Sequence, residues 1–547
     1  VGFVTADRIA QNVSGFSFDS PARLRAGLLF ALSQACNEYG HTYLPRASLL
    51  DHAQQLLGVS GEALNDALDE LIGAHEAVYQ MVGDVDGVFL PRMCAMENDI
   101  ANRLSRLAAP PVSNPFLEAA AAAPRHDIHL APQQAEAVRL AMTQGVLVIT
   151  GGPGTGKTTI IRCIAEILSE MQMEFALAAP TGRAAKRMTE ATGCEAKTLH
   201  RLLEYVPGEG FQRNADNPLF YDMIIVDEAS MVDVPLLNAL LAAIPEGTRL
   251  IMVGDSDQLP SVGPGDALRD ITASGAIRVV RLTEIFRQAQ QSRIVTNAHR
   301  INDGLQPLLD GGPESDFRFE EIPSQEQALS RVLDLCAHPD ADMPVGEPLL
   351  DMQVLVPMKK GPLGVYHLNT RLQESLNPPA PEKAEHTFGE RILRVGDKVM
   401  QVQNNYRIEW TKRGPGGATI EGTGAFNGDL GTVYRIDNTT RRFSILFDDD
   451  RLAHYDFTQS DEIELAYCIS IHKSQGSEFP VVILPLCGGP PVLLTRNLLY
   501  TAVTRARRQV VCIGRRETIA AMVRNNRDMR RYTSLAVRLQ EWRALRP

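Results

Sequence analysis

The segment Gly151-Gly152-Pro153-Gly154-Thr155-Gly156-Lys157-Thr158 constrains this chain more than any other. It fits G-x-x-x-x-G-K-[ST] and lies between an apolar run, Val146 to Ile149, and a helix-patterned stretch, Thr159 to Met171. A strand that feeds a glycine-rich turn opening a helix wraps backbone N–H groups around phosphates. Lys157 then reaches the β and γ oxygens, and Thr158 offers a hydroxyl to Mg²⁺. Gly152, Gly154, Thr155, Gly156 and Thr159 complete the expected cradle. Further on, Met223-Ile224-Ile225-Val226 ends in Asp227-Glu228, two carboxylates at a strand tip where ligands of open α/β sheets collect. Asp227 is the candidate Mg²⁺ ligand and Glu228 the group that orients or deprotonates the attacking water. An acidic pair alone is commonly a helix cap; after a phosphate loop it marks a nucleoside triphosphatase, a description that GTPases and small-molecule kinases share.

A chain of 547 residues exceeds one hydrophobic core. From Ala22 to about Arg106 apolar residues recur at helical spacing, as in Leu24, Leu28, Leu29 and Leu32, and then Leu49, Leu50, Leu56 and Leu57. Ala108-Ala109-Pro110-Pro111 and the alanines before Pro124 read as a linker. Beyond Pro132, short apolar runs alternate with helices in two sets. The first comprises residues 146–150, 175–179, 223–226 and 250–253, the second 353–356, 466–470, 481–484 and 510–513. Each set predicts a parallel sheet covered on both faces. Residues 395–457 instead alternate at period two between turn signals such as Asn427-Gly428-Asp429, which predicts a small β-barrel inserted in the second α/β domain.

Composition excludes several classes. No apolar run is long enough to cross a bilayer, so no membrane role is expected. The eight cysteines are scattered without metal-ligand spacing, which fits a reducing, cytoplasmic location. A formal charge of −12 argues against a chain that is basic throughout, and leaves local basic clusters to meet phosphates. The chain begins at Val1 inside a patterned segment, and an N-terminally truncated sequence is expected.

Six further segments then match a known set in order. Leu130 to Val138, with Gln134, resembles a Q motif; Ala179 to Ala185 resembles motif Ia; Val253 to Pro260 resembles motif III; Leu282 to Gln288 resembles motif IV; Ile471 to Glu478 resembles motif V; and Leu499 to Arg507 resembles motif VI. On these residues the chain resembles superfamily 1B helicases of the RecD-like group, and its N-terminal Gly2 to Ala10, similar to half of a helix-hairpin-helix, favours the long-form RecD proteins that act without RecB and RecC. The resemblance implies two RecA-like parallel-sheet motor domains, an inserted SH3-like barrel and a helical N-terminal domain. The expected divisions are 1–125 for the helical domain, 126–290 for the first motor domain, 291–388 and 461–547 for the second, and 389–460 for the barrel.

The same resemblance implies an ATP-dependent helicase that moves 5′ to 3′ on single-stranded DNA and unwinds duplex carrying a 5′ tail, with Mg²⁺ as cofactor, acting as a monomer. Gln134 would read the adenine edge, and Gln475, Gly476 and Glu478 would join the ATP site. Arg287 and Arg505 would face the γ-phosphate and Gln258 would sense it, since phosphoryl transfer is accelerated mainly by positioned charge. For DNA the candidates are Pro180, Thr181, Arg183, Lys186 and Arg187, Thr198 and His200, and His472, Lys473 and Ser474, whose hydroxyls, amides and cations hold phosphates without reading bases. Tyr205-Val206 and Phe211-Gln212-Arg213 should pair across Pro207-Gly208-Glu209-Gly210 as a hairpin within 204–219, and the resemblance implies that this hairpin is the strand-separating pin. Two rival readings stand beside this one, an ATP-switched nucleic-acid clamp without processive unwinding and a superfamily 1 RNA helicase.

Overall fold

In the computed structural model, which describes residues 2–12, 17–108, 115–122, 130–285, 291–312, 314–526 and 531–545, the first set of apolar runs forms a six-stranded sheet. Its order is 278–282, 146–151, 249–254, 223–226, 175–179, 196–198, and every pairing is parallel. Neighbouring residues along each strand enter different cores: Val148, Val226 and Met252 face one side, Ile149, Ile225 and Val253 the other. Both faces are therefore dry, which is why the strands read as unbroken apolar runs. Helices Pro132–Thr143 and Lys157–Glu170 cover one face. Helices Val234–Ala243 and Ala267–Ser274 cover the other.

Two elements join that second face from distant sequence. The helix Pro91–Leu107, expected in the N-terminal domain, buries Ile100, Ala101 and Leu104 there. The helix Leu535–Leu545, expected in the second α/β domain with the rest of 461–547, packs instead against Pro91–Leu107 and Ala267–Ser274, with Leu535 and Leu539 fully buried in the first domain's core. The reason is hydrophobic: these leucines, one turn apart, complete an apolar face that the local sequence leaves uncovered.

The second sheet, also parallel throughout, runs 317–321, 506–514, 479–486, 352–356, 468–470. Its strands Met352–Val356 and Cys468–Ser470 are hydrogen-bonded neighbours, and the barrel grows out of the long connection between them. The barrel is a seven-stranded antiparallel sheet curled around Val399, Val433, Phe443, Ile445 and Tyr455. It includes a ribbon, Asn405–Arg413 with Thr419–Ala425, beyond the three strands, 398–402, 431–436 and 443–447, that its period-two pattern predicts. The N-terminal region holds helices Pro21–Tyr39, Arg46–Leu57 and Gly61–Gly73, as expected, and adds a three-stranded antiparallel sheet built on Val78–Val82 and Val85–Phe89. Among the described residues no helix is long and apolar enough to cross a membrane.

Candidate nucleotide site and nucleic-acid interface

The phosphate loop leaves strand Val146–Gly151 and turns into helix Lys157–Glu170 through Gly154 and Gly156, at φ 74° and 79°, backbone conformations that a Cβ would strain. Gly152 is constrained by its neighbours: a Cβ there would meet His299 Cε1 at 2.9 Å and the Tyr500 hydroxyl at 3.1 Å, both from the second α/β domain. The Thr155 hydroxyl donates to Gly152 O at 2.8 Å. Lys157 Nζ arches over the loop and donates to Gly151 O at 2.6 Å and Gly152 O at 3.2 Å, bonds that phosphate oxygens can take over. Thr158 and Thr159 follow on the first helical turn, Thr158 exposed to solvent. Gln134 is buried with both ends engaged: Oε1 accepts from Ala131 N at 3.0 Å and Nε2 donates to Thr155 O at 2.9 Å. It caps its own helix and props the phosphate loop, so an adenine edge would have to compete for those bonds.

Asp227 and Glu228 stand at the end of strand Met223–Val226. Glu228 adopts a left-handed backbone, φ 51° and ψ 40°, which is uncommon for a residue other than glycine. Its Oε1 accepts from Arg187 Nη2 at 2.9 Å. Asp227 Oδ1 accepts from the Glu228 amide at 2.8 Å. Burial opposes ionisation of both carboxyls, with opposite net results. Asp227 is raised by burial and by the charge of Glu228, whereas Glu228 is lowered because Arg187, then Arg505 and Lys157, outweigh its burial.

The second domain supplies the opposite wall. Arg505, 2% exposed, donates from Nη2 to Gln258 Oε1 at 3.0 Å, from Nε to Thr501 O at 3.2 Å and from Nη1 to Ser477 O at 3.2 Å. Gln258 Nε2 donates to Asp255 Oδ2 at 3.1 Å, and the Tyr500 hydroxyl donates to the same oxygen at 2.6 Å. Gln475 Nε2 reaches Leu259 O at 2.8 Å and Pro260 O at 3.2 Å, so it binds the motif III loop across the domain boundary. Glu478 pairs with Arg187, and its Oε2 accepts from Arg507 Nε at 2.8 Å. Burial works against that carboxylate, but Arg187 and Arg507 bring its pKa down to about 2. Arg287 lies outside the described residues.

The residues expected to meet DNA divide. Thr181, after Pro180, accepts from Ala184 N at 3.3 Å and caps helix Gly182–Thr192; a Cβ on Gly476 would lie 2.8 Å from its Oγ1, so motifs Ia and V abut. Thr198 caps the short helix Leu199–Leu202. His200 lies 5.7 Å from the Tyr205 ring and 5.6 Å from Phe211. Burial lowers the pKa of His200 and of His472, which favours neutral rings over cations. Four residues depart from the DNA-facing expectation. Arg183 pairs with Asp448 of the barrel and lies 5.7 Å over the Phe479 ring, which commits its charge within the protein. Ser474 is fully buried and donates to Ile471 O at 2.7 Å, the local carbonyl that a serine in a tight turn readily finds. Arg187 turns to the carboxylates described above, and Lys473 donates to Glu464 at 2.6 Å. Lys186 lies 3.9 Å from Glu190 on an exposed helix face.

Four family models match the chain: an AAA domain over residues 134–264, the SH3 domain of ATP-dependent RecD-like DNA helicases over 368–447, a UvrD-like helicase C-terminal domain over 465–513, and the HHH domain of ATP-dependent RecD2 DNA helicases over 1–43. The ATP-dependent RecD2 DNA helicase of Deinococcus radiodurans is 33% identical over 527 residues, covering 94% of this chain and 68% of that protein. This chain belongs to the RecD2-like family of ATP-dependent DNA helicases. The RecBCD enzyme subunit RecD of Mycobacterium tuberculosis is 32% identical over 445 residues, 75% of this chain and 73% of that one. A solved Pif1 helicase from Candida albicans aligns over 72% of this chain and 96% of its own, with TM-score 0.42 and 19% identity, a distance at which no residue correspondence is drawn.

In this RecD2-like chain several site residues carry no sequence signal of their own. His299 Nε2 lies 3.3 Å from Pro153 O, yet it comes from the helix Arg293–Asn302, which matches no motif used above. Asp255 and Tyr500 sit inside motifs III and VI, but only the structure brings them together. Arg187 belongs by sequence to a run of cations after motif Ia, and its turn toward Glu228 depends on a helix phase that the motif does not specify.

Proposed function

We propose that this RecD2-like chain is a DNA-stimulated ATPase that moves 5′ to 3′ on single-stranded DNA and separates duplex ahead of it. The observation that carries this reading is the Gln258–Arg505 contact at 3.0 Å: it joins the two α/β domains beside the phosphate loop, where nucleotide binding and hydrolysis would close and release the cleft. In this role Lys157 and Arg505 stabilise charge on the γ-phosphoryl group, Arg287 is a second candidate, and Gln258 senses it. Glu228 orients the attacking water. The direction of movement is supported by membership of the RecD group.

Thr158 and Asp227 fit Mg²⁺. Magnesium ordinarily takes one or two protein oxygens together with substrate phosphates rather than a dedicated protein cage. Asp227 Oδ1 is occupied by the Glu228 amide, which leaves Oδ2 for the ion. When bound, Mg²⁺ neutralises charge between the β and γ phosphates. Among the DNA candidates, Pro180, Thr181, Thr198, His200 and His472 remain suited to holding a backbone without reading bases. The partners are single-stranded DNA and duplex with a 5′ tail; the protein works as a monomer without RecB or RecC, in the cytoplasm.

Matched duplexes with a 5′ or a 3′ single-stranded tail test the reading. Unwinding of the 5′-tailed substrate alone, absent in Lys157→Ala, is the expected result. Preference for the 3′ tail overturns the direction. ATP turnover with unwinding of neither favours the clamp.

A further inference from the structure

Arg187 lies on helix Gly182–Thr192 of the first α/β domain, and its guanidinium spans the cleft. Nη2 donates to Glu228 Oε1 at 2.9 Å and to Gly476 O at 3.2 Å, while Nη1 pairs with Glu478. Glu228 belongs to the first domain; Gly476, Glu478 and Arg507, which holds the other oxygen of Glu478 at 2.8 Å, belong to the second. Among the described residues the buried Nε of Arg187 has no hydrogen-bond partner, so two carboxylates and a carbonyl on opposite walls fix the fork, not its own helix. The pair is well enclosed, with side-chain exposures of 22% for Arg187 and 14% for Glu228.

We propose that Arg187 is a positioning residue that ties the carboxylate of Glu228 to closure of the two motor domains. A rigid guanidinium fork can satisfy both walls at once, which a single ammonium cannot. When the cleft closes, Glu478 holds Nη1 and Gly476 O shares Nη2 with Glu228, so the second domain's two acceptors fix the guanidinium and through it hold Glu228 in line with the phosphate loop. When the cleft opens, Glu478 and Gly476 withdraw. Arg187 keeps only Glu228, in a more solvated pair of the kind that fixes geometry poorly. Water activation is then confined to the closed state, so hydrolysis follows domain closure and does not run idle between steps. The inference rests on Glu228 acting on the attacking water.

The test compares kcat and KM for ATP at saturating single-stranded DNA in wild type, Arg187→Met, Arg187→Lys, Glu228→Gln and the Arg187→Met/Glu228→Gln double variant. Binding of a fluorescent ATP analogue is measured alongside. Arg187→Met should lower kcat by about 10²-fold, the scale of a misplaced reacting group, with KM and analogue affinity changed by no more than about twofold. Arg187→Lys, which retains the charge and so keeps the protein folded, should recover part of that loss. The double variant should be no slower than Glu228→Gln alone, because Arg187 acts through Glu228, whereas a merely structural role would add its own loss. A wild-type kcat in Arg187→Met and Arg187→Lys beside an inactive Glu228→Gln overturns the proposal and leaves Glu228 in place. A change confined to KM overturns it in favour of nucleotide binding by Arg187. Wild-type turnover in Glu228→Gln removes Glu228 from the mechanism, and this proposal with it.

Discussion

Arg505 is enclosed, and among the described residues no carboxylate hydrogen-bonds to it; its bonds go to Gln258, to the carbonyls of Thr501 and Ser477 and to the Thr504 hydroxyl. A buried charge hydrogen-bonded to neutral groups, with Glu228 and Glu478 close enough to feel it, keeps donors that can turn to a charge that arrives later, and the γ-phosphoryl group in its transition state is the one proposed here. Arg505→Ala should therefore lower kcat by about 10³-fold or more with a much smaller effect on ATP affinity, read from steady-state turnover and analogue binding. A change in KM alone would reassign Arg505 to ground-state binding. Lys157→Ala should abolish hydrolysis and leave single-strand binding largely intact, since among the described residues the proposed DNA contacts Thr181, Thr198 and His472 share no hydrogen bond with the phosphate loop. Fluorescence anisotropy on labelled single strands checks this, and equal loss of both functions in a folded protein would count against it. Lys157 was legible as a candidate from the spacing of its phosphate loop, and Gln258 and Arg505 from the resemblance of their segments to motifs III and VI; His299 was not, because its meeting with Pro153 is created by packing between domains.

At the scale of elements, the hairpin pairs Tyr205 with Phe211 and Val206 with Gly210, two residues on each side, too short to hold its shape alone. Its support comes from the barrel: the Tyr205 ring lies 5.3 Å from Tyr406, which lies 5.5 Å from Phe426. Phe211 packs on the first core. The tip, Pro207 to Glu209, is exposed, as a wedge must be. Replacing Val206 to Gly210 with a Gly/Ser turn, with Tyr205 and Phe211 retained, should leave DNA-stimulated ATPase activity and single-strand translocation near wild type and reduce duplex unwinding to background. Normal unwinding by that variant would place the wedge elsewhere. The parallel strands were readable as elements because burial on both faces writes unbroken apolar runs. The ribbon Asn405–Arg413 with Thr419–Ala425 was not, since it mixes charged residues and glycines with few buried positions. In the helix Leu535–Leu545 the apolar residues are not gathered on one face, and nothing local says which core receives Leu535 and Leu539.

For the whole molecule, that last helix is preceded by a strap that binds three parts together. Arg531 donates to Ser261 O at 2.6 Å, Gly263 O at 2.7 Å and Gly265 O at 2.6 Å, the loop that follows Gln258. Tyr532 O accepts from Thr42 N at 2.8 Å, and Tyr532 N donates to His41 Nδ1 at 3.0 Å, so the N-terminal region is fastened to the same strap. An imidazole nitrogen accepts only while it carries no proton. Burial, and then the charge of Arg531, lowers His41 from 6.5 to about 4, which keeps that nitrogen free at neutral pH. The sign follows from linkage: the unfolded form takes up a proton before the folded form does, so stability is complete above 6.5 and falls as the pH drops from there toward about 4. His41→Asn removes the titration while its side-chain oxygen can still accept from Tyr532. Thermal unfolding at about pH 7.5 and about pH 5, at constant ionic strength, should show wild type losing about 1–2 °C more on acidification than His41→Asn, a modest difference because the chain is long and the ring is partly solvated. Carboxyls such as Glu97 titrate equally in both proteins and cancel in the comparison. Equal losses would mean that acid loosens the molecule somewhere other than the strap.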